Sequence, residues 1–149
     1  MQPMQPMQQN LYLYPANVNP PEEVLTFFQN EAGWTEKLVN RKPLLLNKYT
    51  YVQWLTLTDG PVSLAIARLK IAPPEFCFVS NFILAKDYRL QGYGRSLMTE
   101  IEDLARAKNL KRVVLQATGE SNLFYEKLGY LKSRKLKGFL VKALFQAAK

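Results

Sequence analysis

Between residues 76 and 106 a strand, a loop with two glycines one residue apart, and a helix follow one another, and this stretch limits the possible folds more than any other. Phe76 to Ala85 reads Phe-Cys-Phe-Val-Ser-Asn-Phe-Ile-Leu-Ala, rich in aromatic and β-branched residues, and stops at the charged turn Lys86-Asp87-Tyr88. That composition predicts a strand. After Arg89-Leu90-Gln91-Gly92-Tyr93-Gly94, the apolar residues Leu97, Met98, Ile101, Leu104 and Ala105 recur at helical spacing, while Arg95, Thr99, Glu102, Asp103 and Arg106 fall on other faces. An amphipathic helix is expected. Unpaired N–H groups at a helix start converge on one point and glycine lets an oxygen-rich group approach, so the junction predicts an anion site. Two phosphate fingerprints are excluded. The dinucleotide pattern needs a third glycine three residues after the second, where Leu97 stands, and the nucleoside triphosphate loop needs Gly-Lys before Ser or Thr, where Gly94 is followed by Arg95.

The chain has 149 residues, 48% of them hydrophobic, enough for one core and one domain over residues 10–149. No apolar run approaches the roughly 18 residues of a membrane span, so no membrane partner is expected. Residues 1–9 have neither a basic start nor a continuous apolar region; they do not make a signal peptide and read as a disordered tail. The single cysteine, Cys77, cannot form an internal disulfide, which suits a cytoplasmic setting. With no histidine in the chain to activate it, Cys77 reads as a small buried residue rather than a nucleophile. No metal is expected.

Other elements follow from local pattern. Leu11 to Tyr14 is a short strand stopped by Pro15; Pro20-Pro21-Glu22-Glu23 opens a helix that Gly33 ends, and residues 34 to 39 suggest a second. Tyr51 to Thr58 and Val62 to Ile71 alternate on either side of Asp59-Gly60-Pro61, a β-hairpin, and residues 75 to 85 extend it to a three-stranded meander. Arg112 to Ala117 is a strand that the intervening helix forces to pair in parallel. A helix over 120 to 128 ends at Gly129, and strands over 130 to 134 and 139 to 145 close the sheet.

A second block lies downstream, Phe124-Tyr125-Glu126-Lys127-Leu128-Gly129-Tyr130. It resembles the Tyr-Glu-Lys-Leu-Gly-Phe segment of the Gcn5-related N-acetyltransferase (GNAT) family, and Arg89-Leu90-Gln91-Gly92-Tyr93-Gly94 resembles that family's acetyl-CoA loop. The two matches and the element order cover roughly residues 76 to 145. The resemblance implies an α/β (α+β) acyl-CoA N-acyltransferase fold: a mixed, mostly antiparallel sheet with a splayed parallel pair, flanked by helices. It implies transfer of an acetyl group from acetyl-CoA to a primary amine, directly and through a ternary complex.

The resemblance also assigns roles. The pantetheine arm would pair with the backbone of Phe82 and Leu84, and the pyrophosphate with the loop from Arg89 through Leu90, Gln91, Gly92, Tyr93 and Gly94 to Arg95. Tyr125 matches the family's general acid, and its phenol, with an ordinary pKa near 10, stays protonated at neutral pH. Asn122 lies one turn earlier as a cofactor contact; the family's asparagine falls farther upstream, where this chain has Thr118. The aromatic residues Phe27, Phe28 and Trp34 read as core or as a wall of the acceptor site. A base is not evident: the family's strand glutamate maps onto Phe78, leaving Glu75, or water held by Ser80 or Asn81. The net charge of +8, concentrated in the last third, suits steering of a polyanionic cofactor better than nucleic-acid binding. The acceptor would be a small-molecule or protein amine and the protein a monomer or homodimer. The alternative is a non-catalytic acyl-CoA-binding or regulatory domain.

Overall fold

The computed structural model describes residues 10–33, 49–117 and 121–145. Strand β1 (Asn10–Leu13) lies at one edge of the sheet. Helix α1 (Glu22–Ala32) starts after Pro21, where a missing N–H costs nothing, carries Glu22 and Glu23 where its dipole favours carboxylates, and ends at Gly33. The hairpin is present as β2 (Tyr51–Asp59) and β3 (Val62–Ala72), and β4 (Phe76–Leu84) completes the meander. A single 3-10 turn over Lys86–Tyr88 leads to α2 (Tyr93–Ala107) and then β5 (Arg112–Gln116). A short α3 (Asn122–Lys127), β6 (Leu131–Lys132) and β7 (Phe139–Ala143) follow.

The seven strands form one sheet in the order β1-β2-β3-β4-β5-β7-β6. Only β4 and β5 are parallel, because α2 carries the chain back along the sheet between them. Both faces are covered. On one, α2 sets Leu97, Met98, Ile101 and Ala105 against Leu55, Leu69, Val113 and Leu115. On the other, α1 sets Leu25 and Phe28 against Trp54, Ile66 and Ile83. Phe28 is thus core, while Phe27 is partly exposed. Cys77 is buried within the first of these layers and unpaired.

The last two strands are each shorter by two residues or more than their sequence suggests. The strand expected over 130 to 134 shrinks to Leu131–Lys132 because the Ser133 hydroxyl accepts from the N–H groups of Lys135 and Leu136 and starts a turn. The last strand ends at Ala143, and one more in-register bond, from the Leu144 N–H to the Lys111 carbonyl, closes its pairing with β5. The expected tail over 1–9, the short helix over 34–39 with Trp34, and Thr118 and Glu120 lie outside the described residues. Among the described residues no helix is long and apolar enough to cross a membrane, and no group of side chains has the makings of a metal site.

Candidate active site

Strands β4 and β5 pair only from Phe76 and Arg112 to Val79 and Leu115. Beyond that point β5 ends at Gln116 while β4 runs on to Leu84, and a cleft of about 420 Å³ opens between them. The cause is local. In the β3–β4 ladder Arg68 faces Asn81 but Leu69 faces Val79, so Ser80 is an extra residue, and its hydroxyl donates to the Arg68 carbonyl at 3.0 Å. Such a bulge bends and twists the strand that carries it, here away from β5. Ser80 is therefore the bulge residue.

Past the bulge, Ala85 donates its N–H to the Leu64 carbonyl and so faces β3. Since backbone groups alternate along a strand, those of Phe82 and Leu84 face the open edge. Both residues line the cleft, as do Ser121, which precedes α3, and Phe124 and Tyr125 within it. The sequence reading missed Ser121, Phe124 and Gln116. Phe124 could have been found, because it adjoins Tyr125 in the same motif; Gln116 depends on where β5 stops. Asn122 opens α3 but is not among the residues lining the cleft; Ser121, whose carbonyl accepts the Tyr125 N–H, lines it instead.

The glycine loop continues directly from the end of β4. Gly92 has φ +91°, a conformation that L side chains rarely adopt, and it caps α2 with no side-chain hydrogen bond. No carboxylate occupies the first turn of α2, in contrast to α1. The first intrahelical bond there runs from the Ser96 N–H to the Gly92 carbonyl, so the N–H groups of Gly94 and Arg95 have no partner one helical turn back. Gly94 acts differently from Gly92. A Cβ at Gly94 would come within 3.2 Å of Leu84 Cδ1 and 3.3 Å of Phe124 Cζ, so its bareness lets the helix start close against the cleft.

Side chains of the loop hold its shape. Arg89 donates through Nε to the Leu84 carbonyl at 3.2 Å and through Nη2 to the Glu31 carbonyl at 3.1 Å, tying the loop to the ends of β4 and α1. Gln91 Nε2 donates to the Asp87 carbonyl at 2.9 Å. The Tyr93 ring is buried against Tyr88, leaving only its backbone for the loop's outer side. Leu90, at φ +63°, and Arg95 are exposed.

Tyr125 is 8% exposed, with its ring 6.4 Å from Phe82, 4.9 Å from Phe124 and 5.9 Å from Tyr130. Burial pushes its phenol up to about 12. Tyr130 is fully buried, and its hydroxyl donates to Glu102 Oε2 at 2.9 Å. Lys142 Nζ donates to Glu102 Oε1 and to the Leu128 carbonyl, both at 2.8 Å. This network pins the turn after α3, and with it Tyr125, to α2 and β7.

Among the described residues no carboxylate lines the cleft. Glu75 sits at the opposite end of β4, where it pairs with Lys111 at 3.1 Å and Arg112 at 3.8 Å, so it is removed from the candidate bases. Asn81 and Gln116 are polar residues of the cleft wall. Burial raises the Cys77 thiol to about 12, which leaves it inert.

The profile of the acetyltransferase (GNAT) family matches residues 20–130. The chain belongs to the GNAT family. Mouse N-alpha-acetyltransferase 80 is 36% identical over 73 residues, which are 48% of this GNAT chain and 23% of that relative. The chain thus spans less than a quarter of that relative's length. Among solved structures, a GNAT acetyltransferase from Staphylococcus aureus Mu50 superposes with a TM-score of 0.69 over 92% of this chain and 99% of its own, at 16% identity. The PaiA N-acetyltransferase of Thermoplasma acidophilum, in complex with coenzyme A, gives 0.52 over 60% and 58%, at 17% identity. At such identities the likeness is one of fold: the mixed sheet with its β4–β5 pair is the acyl-CoA N-acyltransferase fold. The family is one of acetyltransferases.

Proposed function

We propose that residues 10–149 form one acetyltransferase domain that moves an acetyl group from acetyl-CoA to a primary amine, by direct attack within a ternary complex. The observation that carries this reading is the cleft between β4 and β5, bordered by an uncapped helix start on one side and by Tyr125 on the other. A thioester supplies an acyl group already activated for aminolysis; the chain must bind, orient and move protons. At the open edge, the Phe82 backbone and the Leu84 N–H suit the amides of a pantetheine arm lying as an extra strand, while the Leu84 carbonyl is held by Arg89. The N–H groups from Leu90 to Arg95 suit a pyrophosphate, with Arg89 and Gln91 bracing the loop and Gly92 and Gly94 giving it its turn and its closeness. Asn122, at the start of α3, is the remaining candidate contact. Tyr125 gives its proton to the departing thiolate sulfur, and its raised pKa keeps that proton in place at neutral pH.

With no histidine in the chain and no carboxylate among the described residues of the cleft, the amine reaches its neutral form through water beside Asn81 and Gln116. The rate should then follow the amine's own ionisation, near 8 for a terminal amine and near 10 for a lysine, rather than a protein base. The name of the mouse relative and its shared segment support a protein amine as acceptor. A reducing cytoplasmic setting fits the free, buried Cys77.

A screen of amine acceptors, read by release of free thiol from acetyl-CoA, tests the proposal. Thiol release that depends on acceptor, with kcat/KM rising at unit slope in pH up to the amine's pKa, is the expected result. The bare cleft wall also favours a second reading, a domain that binds acyl-CoA without turnover. Tight acetyl-CoA binding with no thiol release from any amine would select that reading.

A further inference from the structure

After Glu126 the sequence has seven lysines and arginines and no aspartate or glutamate. One of them, Lys142, is engaged with Glu102. Four others share a single hairpin: Lys132 in β6, and Arg134, Lys135 and Lys137 in the turn to β7, all exposed. None of these four is paired with a carboxylate among the described residues, whereas Lys111, Arg112 and Arg106 all are.

Register fixes where this turn lies. Phe139 pairs with Gln116, which lines the cleft, and β7 runs antiparallel to β5. The residues just before Phe139 therefore extend past the carboxyl end of β5, the same end at which the cleft opens. The turn is also ordered. The Ser133 N–H donates to the Phe139 carbonyl at 2.8 Å, while the Ser133 hydroxyl accepts from Lys135 and Leu136 at 3.3 and 3.1 Å. A turn fixed in advance loses little freedom when it binds.

The strand order separates this turn from the glycine loop. The loop follows β4, the turn precedes β7, and β5 and the cleft stand between them. A cofactor whose phosphates lie on the start of α2 leaves the cations of the turn to the second substrate. We infer that the Ser133–Gly138 turn selects acceptors whose reactive amine is accompanied by carboxylates, whether on an acidic peptide or on a free amino dicarboxylate. This rests on the acetyltransferase reading above. Nucleic acid fits less well, because the aromatic residue of this hairpin, Phe139, packs against Phe78 at 5.9 Å instead of standing free to stack on bases.

The test titrates coenzyme A-saturated protein, by calorimetry, with an aspartate-rich peptide, its lysine-substituted counterpart and free aspartate. The acidic peptide should bind at least about tenfold tighter than the basic one, from several exposed ion pairs acting together, and the gap should narrow at about 0.5 M salt. The triple variant Arg134→Ala/Lys135→Ala/Lys137→Ala should lose most of that preference and keep its acetyl-CoA affinity. Free aspartate binding as tightly as the peptide assigns the small acceptor; weaker binding assigns the peptide. Equal binding of the two peptides, loss of acetyl-CoA affinity in the triple variant, or displacement of the acidic peptide by lower concentrations of a single-stranded oligonucleotide would overturn the inference. An acidic peptide that binds through the turn but is never acetylated would refute the transferase reading alone.

Discussion

At the scale of single residues, Tyr125 and Gly92 carry the sharpest consequences. If the Tyr125 phenol protonates the leaving thiolate, Tyr125→Phe keeps the ring among Phe82, Phe124 and Tyr130 and removes only the proton. Turnover should fall by about 10²-fold to 10⁴-fold, the usual worth of a general acid, while acetyl-CoA affinity stays within a few fold. A loss below about threefold, or roughly 0.7 kcal/mol of barrier, would make the hydroxyl structural. Gly92 tests the loop. Its φ of +91° faces open space, so Gly92→Ala meets no neighbour and costs only backbone strain, about 1 to 2 kcal/mol. Because the same strain redirects the N–H groups that follow, acetyl-CoA affinity should drop with it. Gly92→Asn, better tolerated in left-handed backbone, should recover part of both. A Gly92→Ala protein that melts like the parent and binds acetyl-CoA fully would show that this conformation serves neither purpose.

At the scale of elements, α2, the turn after α3, and β7 meet at one buried carboxylate. Removing it in Glu102→Ala leaves the Tyr130 hydroxyl and the Lys142 ammonium without their shared partner. A loss of about 2 to 4 kcal/mol in chemical denaturation is expected, since breaking a largely buried charged pair costs more than the pair contributes. Glu102→Gln, whose single amide oxygen can still accept from Lys142 while its amide nitrogen donates to the Tyr130 oxygen, should lose less; equal losses would mean that charge, not hydrogen bonding, holds the junction. Sequence periodicity reveals the elements joined here but not the joint. Glu102 falls on α2 among polar neighbours and reads as surface, and only the fold brings Tyr130 and Lys142 to it. The same limit applies at Arg89, which the family motif marks for the cofactor but whose guanidinium ties the ends of α1 and β4 together. By contrast, the hairpin β2–β3 and the strand–loop–helix from β4 to α2 were legible, because alternation, turn residues and helical spacing are local.

At the scale of the whole molecule, the meander and the parallel pairing could be inferred from the element sequence, and the open end of the β4–β5 pair from family resemblance. Its cause could not be seen: a bulge depends on register with β3, and Ser80 alone does not announce which residue is extra. Nor does charge along the chain reveal that four of the cations after Glu126 share the hairpin turn at the end of the sheet where the cleft opens. One property of the whole core can be predicted from its buried acids. Burial raises Cys77 from 9.0 to about 12 and Tyr125 from 10.0 to about 12. Burial, with the Glu102 carboxylate beside it, also pushes Tyr130 up. Each group keeps its proton in the fold while the unfolded chain releases it, so the unfolded state binds fewer protons and stability falls as pH rises. Stabilisation from these groups is complete below pH 9 and is lost as pH climbs from there toward 12. The fall begins with Cys77 alone, at a limit of about 1.4 kcal/mol per pH unit, and steepens above pH 10 when the two tyrosines join. By pH 11 the loss reaches about 5 kcal/mol, comparable to the whole stability of an ordinary domain. Denaturant midpoints measured from pH 7 to 11 should trace this curve, and Cys77→Ala should flatten its segment between pH 9 and 10 while leaving the steeper segment intact. A midpoint that holds level to pH 11 would mean that the unfolded chain releases no more protons than the fold, and that these three groups are not sealed in the core.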